Sequence, residues 1–273
     1  DPAASLAWIE ENSGGLPGRV ENERLESWVE GYAKVSPQGA FDYVMGMPED
    51  GRRDLRQKTE LIEQVIGGQI QAGKVSEALG LLETLPAGRL RDQSFEEFYG
   101  EWAEEDPDAA ARHFLANRTE GSDRWAPDIV RSWAESDPEA AAEFVASLGP
   151  ENEGFARSVS SLIERWTRYD LQAPAEWLNQ MPPSPEIDRA VAVYSMRAAS
   201  EDPRSAMTWA ESIASEQGRE RVMLRVAASW RQTDEEGFND YLAENEFEEE
   251  FEQRLRAFGS GDRGGAYDGR FRD

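Results

Sequence analysis

The segments Trp102-Ala103-Glu104-Glu105-Asp106-Pro107 and Trp133-Ala134-Glu135-Ser136-Asp137-Pro138 are close copies of each other, and they decide the fold class. Two further segments keep part of the pattern. Ala198-Ala199-Ser200-Glu201-Asp202-Pro203 retains the acidic end and the proline, whereas Trp166-Thr167-Arg168-Tyr169-Asp170 retains the tryptophan and the aspartate. One short pattern that recurs at a nearly fixed interval is the sequence signature of a repeat protein.

The residue before the proline serves as an anchor for aligning the copies. Successive anchors lie 31 to 38 residues apart, at Asp1, Ser36, Lys74, Asp106, Asp137, Asp170, Asp202 and Asp234. Seven residues after the anchor stand Trp8, Tyr43, Leu81, His113, Phe144, Trp177, Trp209 and Tyr241. Four residues before it, from the second copy on, stand Tyr32, Ile70, Trp102, Trp133, Trp166, Ala198 and Trp230. Four residues after it most copies have a small residue, namely Ser5, Ala40, Ala78, Ala110, Ala141 and Ala206, with Pro174 and Phe238 as exceptions.

Each of these columns has a physical meaning. An aspartate accepts hydrogen bonds from the free N–H groups at a helix start, and proline fits the first helical position. The small residue and the aromatic residue lie three apart on one helix face, so a neighbouring helix can approach beside a large ring. Prolines such as Pro48 and Pro150 end the helix, and a second helix follows, for example from Ser158 to Thr167.

The sequence therefore predicts an all-α protein, an α-solenoid of about eight helical hairpins over residues 1–245. Trp133, Trp166 and Trp209 are expected to be buried between neighbouring hairpins. The third unit is irregular, because its spacing is the longest and Gly67-Gly68 would weaken a helix interior. A tolerated insertion or kink explains this irregularity, and a hinge is the alternative.

The repeat resembles the tetratricopeptide-like family of helical hairpin repeats. That family closes a unit with a proline and places a large, often aromatic residue six positions later. Pro2, Pro107, Pro138 and Pro203 are followed at that distance by Trp8, His113, Phe144 and Trp209. The family's glycine in the first helix is missing, since its place is taken by Asn12, Asn117, Leu148 and Ile213. The tryptophan near the end of the second helix stands where the family usually has alanine. The resemblance covers residues 1 to about 245 and implies the fold class, but little about function.

Charge is the main functional signal in the composition. The chain has 29 Lys and Arg against 55 Asp and Glu, a net charge of −26, and nine Trp. Such a chain repels nucleic acid and anionic membranes, so we expect no nucleic-acid partner, no membrane insertion, and a protein partner with a basic or mixed-charge surface. General solubility is the competing interpretation of the charge. The absence of cysteine suits both oxidising and reducing compartments, and a soluble periplasmic or extracellular location is favoured over a cytoplasmic one.

The C-terminal end is expected to differ from the repeats. Residues 246–258 are predicted to form an amphipathic capping helix with an apolar stripe of Phe247, Phe251, Leu255 and Phe258. Residues 259–273 form a flexible, Gly- and Arg-rich tail. The same features also allow docking of a partner, through Phe247, Phe251, Tyr267, Arg270 and Phe271.

Catalytic motifs are missing from the sequence. His113 is the only histidine and occupies an aromatic column, which favours a core position with a satisfied ring nitrogen. No phosphate loop, dinucleotide fingerprint, nucleophile elbow or calcium loop is present. We therefore assign no catalytic, cofactor-binding or metal-binding residue and no cofactor, although a carboxylate pair placed for acid–base chemistry cannot be recognised from sequence. The sequence favours a non-enzymatic interaction scaffold, and a carbohydrate-acting or cell-wall-enzyme-associated module is the alternative.

Overall fold

The structure is a computed structural model, and it describes residues 5, 11, 18–48, 51–119 and 121–259. Over these residues it contains α-helices and one short 3₁₀-helix but no strand, with 77% helix. The predicted all-α class is therefore confirmed. The chain divides into two compact units, Asp1–Ser158 and Val159–Asp273.

The first unit is built from paired helices. Their bounds are α1 Gly18–Val35, α2 Pro37–Met45, α3 Arg52–Gln71, α4 Val75–Glu83, α5 Arg89–Glu105, α6 Pro107–Ala116, α7 Ala126–Ser136 and α8 Pro138–Leu148, with the 3₁₀-helix Ser122–Trp125 before α7. Each helix of a pair packs on the next, and α1, α3, α5 and α7 also pack on one another in that order. These four helices therefore form one layer, and α3 lies between α1 and α5.

The second unit begins within the helix α9, Phe155–Trp166. Its further helices are α10 Gln172–Leu178, α11 Asp188–Ala198, α12 Pro203–Glu211, α13 Glu216–Thr233, α14 Glu235–Glu244 and α15 Glu249–Ala257. Here α11 packs on α12 and α13, and α13 packs on α14 and α15.

The repeated anchors cap helices as predicted. In six described copies the anchor side chain accepts a hydrogen bond from the backbone N–H three residues later, in Asp170 at 3.4 Å and in the other five at 2.9 to 3.2 Å. These five are Ser36, Asp106, Asp137, Asp202 and Asp234. Their backbone angles are nearly identical, with φ between −136° and −153° and ψ between 80° and 87°. Lys74 makes no side-chain cap, and Asp1 lies outside the described residues.

The aromatic columns form ring pairs across the anchors. The ring four residues before the anchor contacts the ring seven residues after it in Trp102–His113, Trp133–Phe144, Trp166–Trp177 and Trp230–Tyr241, at centroid distances of 5.2 to 6.5 Å. Where the earlier position is Ala198, Tyr194 one turn before supplies the ring that contacts Trp209, at 4.9 Å. The small column is buried as expected, since Ala40, Ala78, Ala110, Ala141 and Ala206 are all 0% exposed.

The expected burial of the tryptophans is correct for only one of the three. Trp166 is 5% exposed, whereas Trp133 and Trp209 are half-buried. Their ring partners lie across the neighbouring anchor, Phe144 for Trp133 and Tyr194 for Trp209, and one part of each indole remains at the surface.

Gly67 and Gly68 do not interrupt their helix, because α3 continues to Gln71. Most of the longer spacing of this unit comes from α3, which has 20 residues against 17 in α5, and from Ala72 and Gly73 between its end and Lys74. Gly73 has a φ of +71°, and the amide of Lys74 bonds back to the carbonyl of Gln69 at 2.8 Å. This is the arrangement of a glycine-terminated helix end, in which a left-handed residue closes the last turn.

The last helix, α15, packs on α13 and is shorter than the predicted 246–258. Leu255 is fully buried, and the Phe247 ring contacts the rings of Tyr241 and Phe251 at about 6 Å. Phe258 is 45% exposed, so its inclusion in the apolar stripe was wrong, since it lies beyond the end of the helix. Within the described ranges, none of the helices combines the length and apolar character that a bilayer crossing requires.

An acidic groove on the first unit

A groove of about 730 Å³ lies across α1, α3 and α5 of the first unit. We call it the acidic groove. Six glutamates line it, namely Glu26, Glu30, Glu60, Glu63, Glu97 and Glu101. Its only lysines are Lys34 and Lys74. The helical repeat explains the alignment, since residues four apart, such as Glu26 and Glu30 or Glu97 and Glu101, share a helix face.

Two of the six glutamates are neutralised by cations on their own helix. Lys34 Nζ lies 2.7 Å from Glu30, and Arg56 Nε lies 2.7 Å from Glu60. In the part of the chain that the structure describes, Glu63, Glu97 and Glu101 have no ion-pair partner. The α3–α5 side of the acidic groove is therefore the more negative part.

On this side of the groove, burial and repulsion between carboxylates raise the pKa values of two glutamates. The pKa of Glu101 is raised to about 7, mainly by burial and in smaller part by the charges of Glu97, Glu104 and Glu63. Burial also raises the pKa of Glu63, with smaller contributions from Glu97 and Glu60. Both shifts mean that the negative charge here is energetically unfavourable without a cation.

Three acceptor oxygens along the acidic groove lack a donor. Gln64 Oε1, Gln69 Oε1 and Glu101 Oε2 are buried, and no described residue hydrogen bonds to any of them. Gln69 is only 4% exposed. A buried acceptor left without a donor costs about 1–3 kcal/mol, so a ligand that offers N–H groups would stabilise this arrangement.

Gly67 allows the carboxylate of Glu101 to lie against α3. A Cβ atom at Gly67 would stand 2.5 Å from Oε2 and 2.8 Å from Oε1 of Glu101, much closer than real contacts. The next residue, Gly68, is exposed, and a Cβ there would meet nothing within 4 Å. The sequence predicts a tolerated insertion or kink at this glycine pair, with a hinge as the alternative, and singles out none of the groove glutamates.

The residues singled out from the sequence lie elsewhere. His113 is half-buried and not in the core, but its Nδ1 is hydrogen bonded to the hydroxyl of Tyr99 at 3.1 Å, which satisfies a ring nitrogen as predicted. Burial lowers the pKa of His113. Phe247 and Phe251 line a groove of about 480 Å³ in the second unit together with Met223. The other predicted docking residues, Tyr267, Arg270 and Phe271, lie outside the described residues.

A second buried acid, Asp128, belongs to the packing of α7. It is 4% exposed and lies 2.7 Å from Arg131 of the same helix. Burial raises its pKa to about 6 although Arg131 acts in the opposite direction. Within the described residues no three carboxylates or histidines are placed to hold a metal ion.

Comparison with known proteins gives this chain no relatives: no family model matches it, and no curated protein or solved structure matches it either.

Proposed function

We propose that this protein is a non-enzymatic interaction module that binds a protein partner through a basic or mixed-charge segment in the acidic groove. The observation that carries the proposal is the set of buried acceptor oxygens without donors, one of them on Glu101, in a groove where Glu63 and Glu97 have no cation either. Such a surface has acceptors and negative charges that the protein itself does not pair, and a segment rich in N–H donors and positive charge complements it. Because ionised glutamates and amide oxygens accept hydrogen bonds and do not donate them, a cationic partner is favoured over an acidic one.

The net charge of −26 supports the same proposal at longer range. A strongly negative protein attracts cationic partners and raises their association rate, whereas desolvated contacts at the binding surface determine most of the affinity. The net charge thus speeds association with the partner, and contacts in the acidic groove supply most of the affinity.

We further propose that the helical hairpins of each unit stack in the manner of an α-solenoid similar to the tetratricopeptide-like family. Support comes from the repeated caps and ring pairs and from the side-by-side order of α1, α3, α5 and α7. Stacked hairpins of this kind present extended surfaces to partners. An interaction scaffold is therefore the function that such an arrangement favours.

The test is the binding of an end-blocked peptide of alternating lysine and serine, measured by fluorescence anisotropy at low salt. The double variant Glu63→Gln/Glu97→Gln removes two charges from the acidic groove. The control Glu143→Gln/Glu151→Gln removes two charges from exposed positions of the same unit outside it. We expect the first variant to bind at least about tenfold more weakly and the control to change by less than about twofold. Equal losses in both variants, or catalytic turnover by the isolated chain, would contradict the proposal.

A carbohydrate-acting role remains the second candidate because of Trp209. This half-buried tryptophan lines a groove of about 430 Å³ in the second unit, beside Asn179, Thr208 and Ser212. An indole face next to amide and hydroxyl groups is suited to stacking and hydrogen bonding with a sugar ring. Quenching of tryptophan fluorescence by cell-wall oligosaccharides, lost in Trp209→Ala, would support this function in place of the scaffold.

A further inference from the structure

We infer that the α3–α5 side of the acidic groove is a binding site for a primary alkylammonium group, the side chain of a lysine in the partner protein, with Glu101 as its principal acceptor. This inference rests on the proposed function and adds to it the residue type that is recognised. The evidence comes from unpaired acceptors, from a glycine that positions Glu101, and from the separation of the acceptor oxygens on different side chains.

The unpaired atoms select a donor. Gln64 Oε1, Gln69 Oε1 and Glu101 Oε2 are all acceptors, and all three side chains line the same groove. A ligand with acceptor atoms, such as a phosphate or a carboxylate, would leave them unsatisfied and would be repelled by Glu63 and Glu97. A ligand with several N–H donors and a positive charge satisfies both requirements.

The distribution of these oxygens favours lysine over arginine. A guanidinium group binds best where both oxygens of one carboxylate face its planar fork. Here the buried acceptors without donors are single oxygens on three different side chains. An ammonium group acts as a compact charge and needs no pair of oxygens in one plane, which suits the single unpaired oxygen of Glu101.

Gly67 determines where the principal acceptor lies. Since a Cβ atom at this position would stand 2.5 Å from Glu101 Oε2, any other residue displaces the carboxylate from α3. The displacement is achieved without disturbing the helix, because the clashing atoms are at the end of a flexible side chain. Alanine is also a better helix former than glycine by about 1 kcal/mol, so the substitution does not unfold the protein.

Proton linkage provides an independent readout. A bound ammonium stabilises the ionised form of Glu101, whose pKa burial raises to about 7 in the free protein. Binding near pH 6.5 is therefore accompanied by proton release, and affinity rises as the pH increases from about 6 to 8. Calorimetry in two buffers of different ionisation enthalpy measures the released proton directly.

The site belongs to a groove rather than to an isolated cavity, and this favours a protein segment over a free amine. The acidic groove continues from Glu101 across α3 to Glu26 and Glu30 on α1. A lysine-bearing chain places further basic groups along these glutamates, whereas a small polyamine has no backbone to occupy the remaining volume. Spermidine is accordingly the competing probe in the experiment.

The experiment compares two adjacent glycines and two acids of one helix. Gly67→Ala and Glu101→Gln are expected to weaken binding of the lysine–serine peptide roughly tenfold to a hundredfold. The matched controls Gly68→Ala and Glu105→Gln are expected to change it by less than about twofold. Circular dichroism melts of all four variants verify that the fold is retained, and an arginine–serine peptide is expected to bind with less dependence on Gly67.

Each contrary result has a distinct meaning. If the wild-type protein does not bind the lysine peptide, the proposed function itself fails. If it binds but Gly67→Ala and Gly68→Ala behave alike, the groove attracts charge only and the lysine site is wrong. An arginine peptide that binds more tightly with equal sensitivity to Gly67 overturns the choice of lysine. Spermidine that binds more tightly than the peptide with the same sensitivity overturns the choice of a protein partner.

Discussion

Replacing Glu101 by glutamine should make the protein more stable at alkaline pH and leave it nearly unchanged at acidic pH. Burial raises the pKa of this carboxyl from 4.5 to about 7, so the folded state holds its proton more tightly than the unfolded chain does. Between these two pKa values the folded state binds more protons, and the free energy of unfolding therefore falls as the pH rises from about 4.5 to 7. Above pH 7 the full cost of the buried charge is present.

The size of the effect follows from the shift. One pKa unit corresponds to about 1.4 kcal/mol, and the shift of roughly 2.5 units sets an upper limit of about 3.4 kcal/mol. Partial exposure of the carboxylate reduces this, so we expect Glu101→Gln to add roughly 1–3 kcal/mol at pH 8 and little at pH 4.5.

Urea unfolding followed by circular dichroism at both pH values measures this difference. Glu105→Gln, at an exposed position of the same helix, is the control and should alter the free energy of unfolding by less than about 0.5 kcal/mol. A Glu101→Gln protein that is less stable than the wild type at pH 8 would show that the carboxylate is held by a favourable interaction, and the account of the acidic groove would fail.

Three further predictions address the fold and the charge. Asp137→Ala removes the hydrogen bond to the amide of Ala140 and should cost about 1 kcal/mol in urea unfolding; an unchanged midpoint would mean that the cap contributes nothing. Trp166→Ala should lower the free energy of unfolding by about 3–5 kcal/mol because its ring is 5% exposed. The same change at the half-buried Trp133 should lower it by about 1–3 kcal/mol, and the reverse order would contradict the burial pattern. The association rate with the lysine–serine peptide in stopped-flow measurements should fall at least about tenfold between about 50 and 500 mM salt, and a constant rate would refute electrostatic attraction.

The repeat could be recognised from the sequence because its signals are local. A capping aspartate, a proline at the first helical position and a ring seven residues later all lie within two helical turns, so their spacing reports their contacts directly. The caps at Asp106, Asp137, Asp202 and Asp234 were found in this way. The exposed fraction of each side chain was less predictable, as Trp133 and Trp209 demonstrate. A repeated position in the sequence does not determine how much of the ring the next helix covers.

The acidic groove could not be predicted because its contacts join different repeats. Gly67 and Glu101 are 34 residues apart, about one repeat length, and they meet only because α3 and α5 pack side by side. Among 55 acidic residues, nothing in the sequence distinguishes Glu101 from its neighbours. The one available signal was Gly67 itself, since a glycine in a helix interior, at a cost of about 1 kcal/mol, often marks a close approach by another group.

The stability cost and the proposed binding share one physical origin, and this gives them a joint test. A free protein that keeps a glycine inside a helix, a buried carboxylate with a raised pKa and acceptors without donors is less stable than simple substitutions would make it. If these features are only imperfections of packing, Gly67→Ala and Glu101→Gln stabilise the protein and leave peptide binding intact. If they form a lysine site, the same two variants gain stability and lose affinity, whereas Gly68→Ala gains stability without losing affinity. The opposite signs of the two changes, measured on the same three variants, separate a binding site from an imperfection of packing.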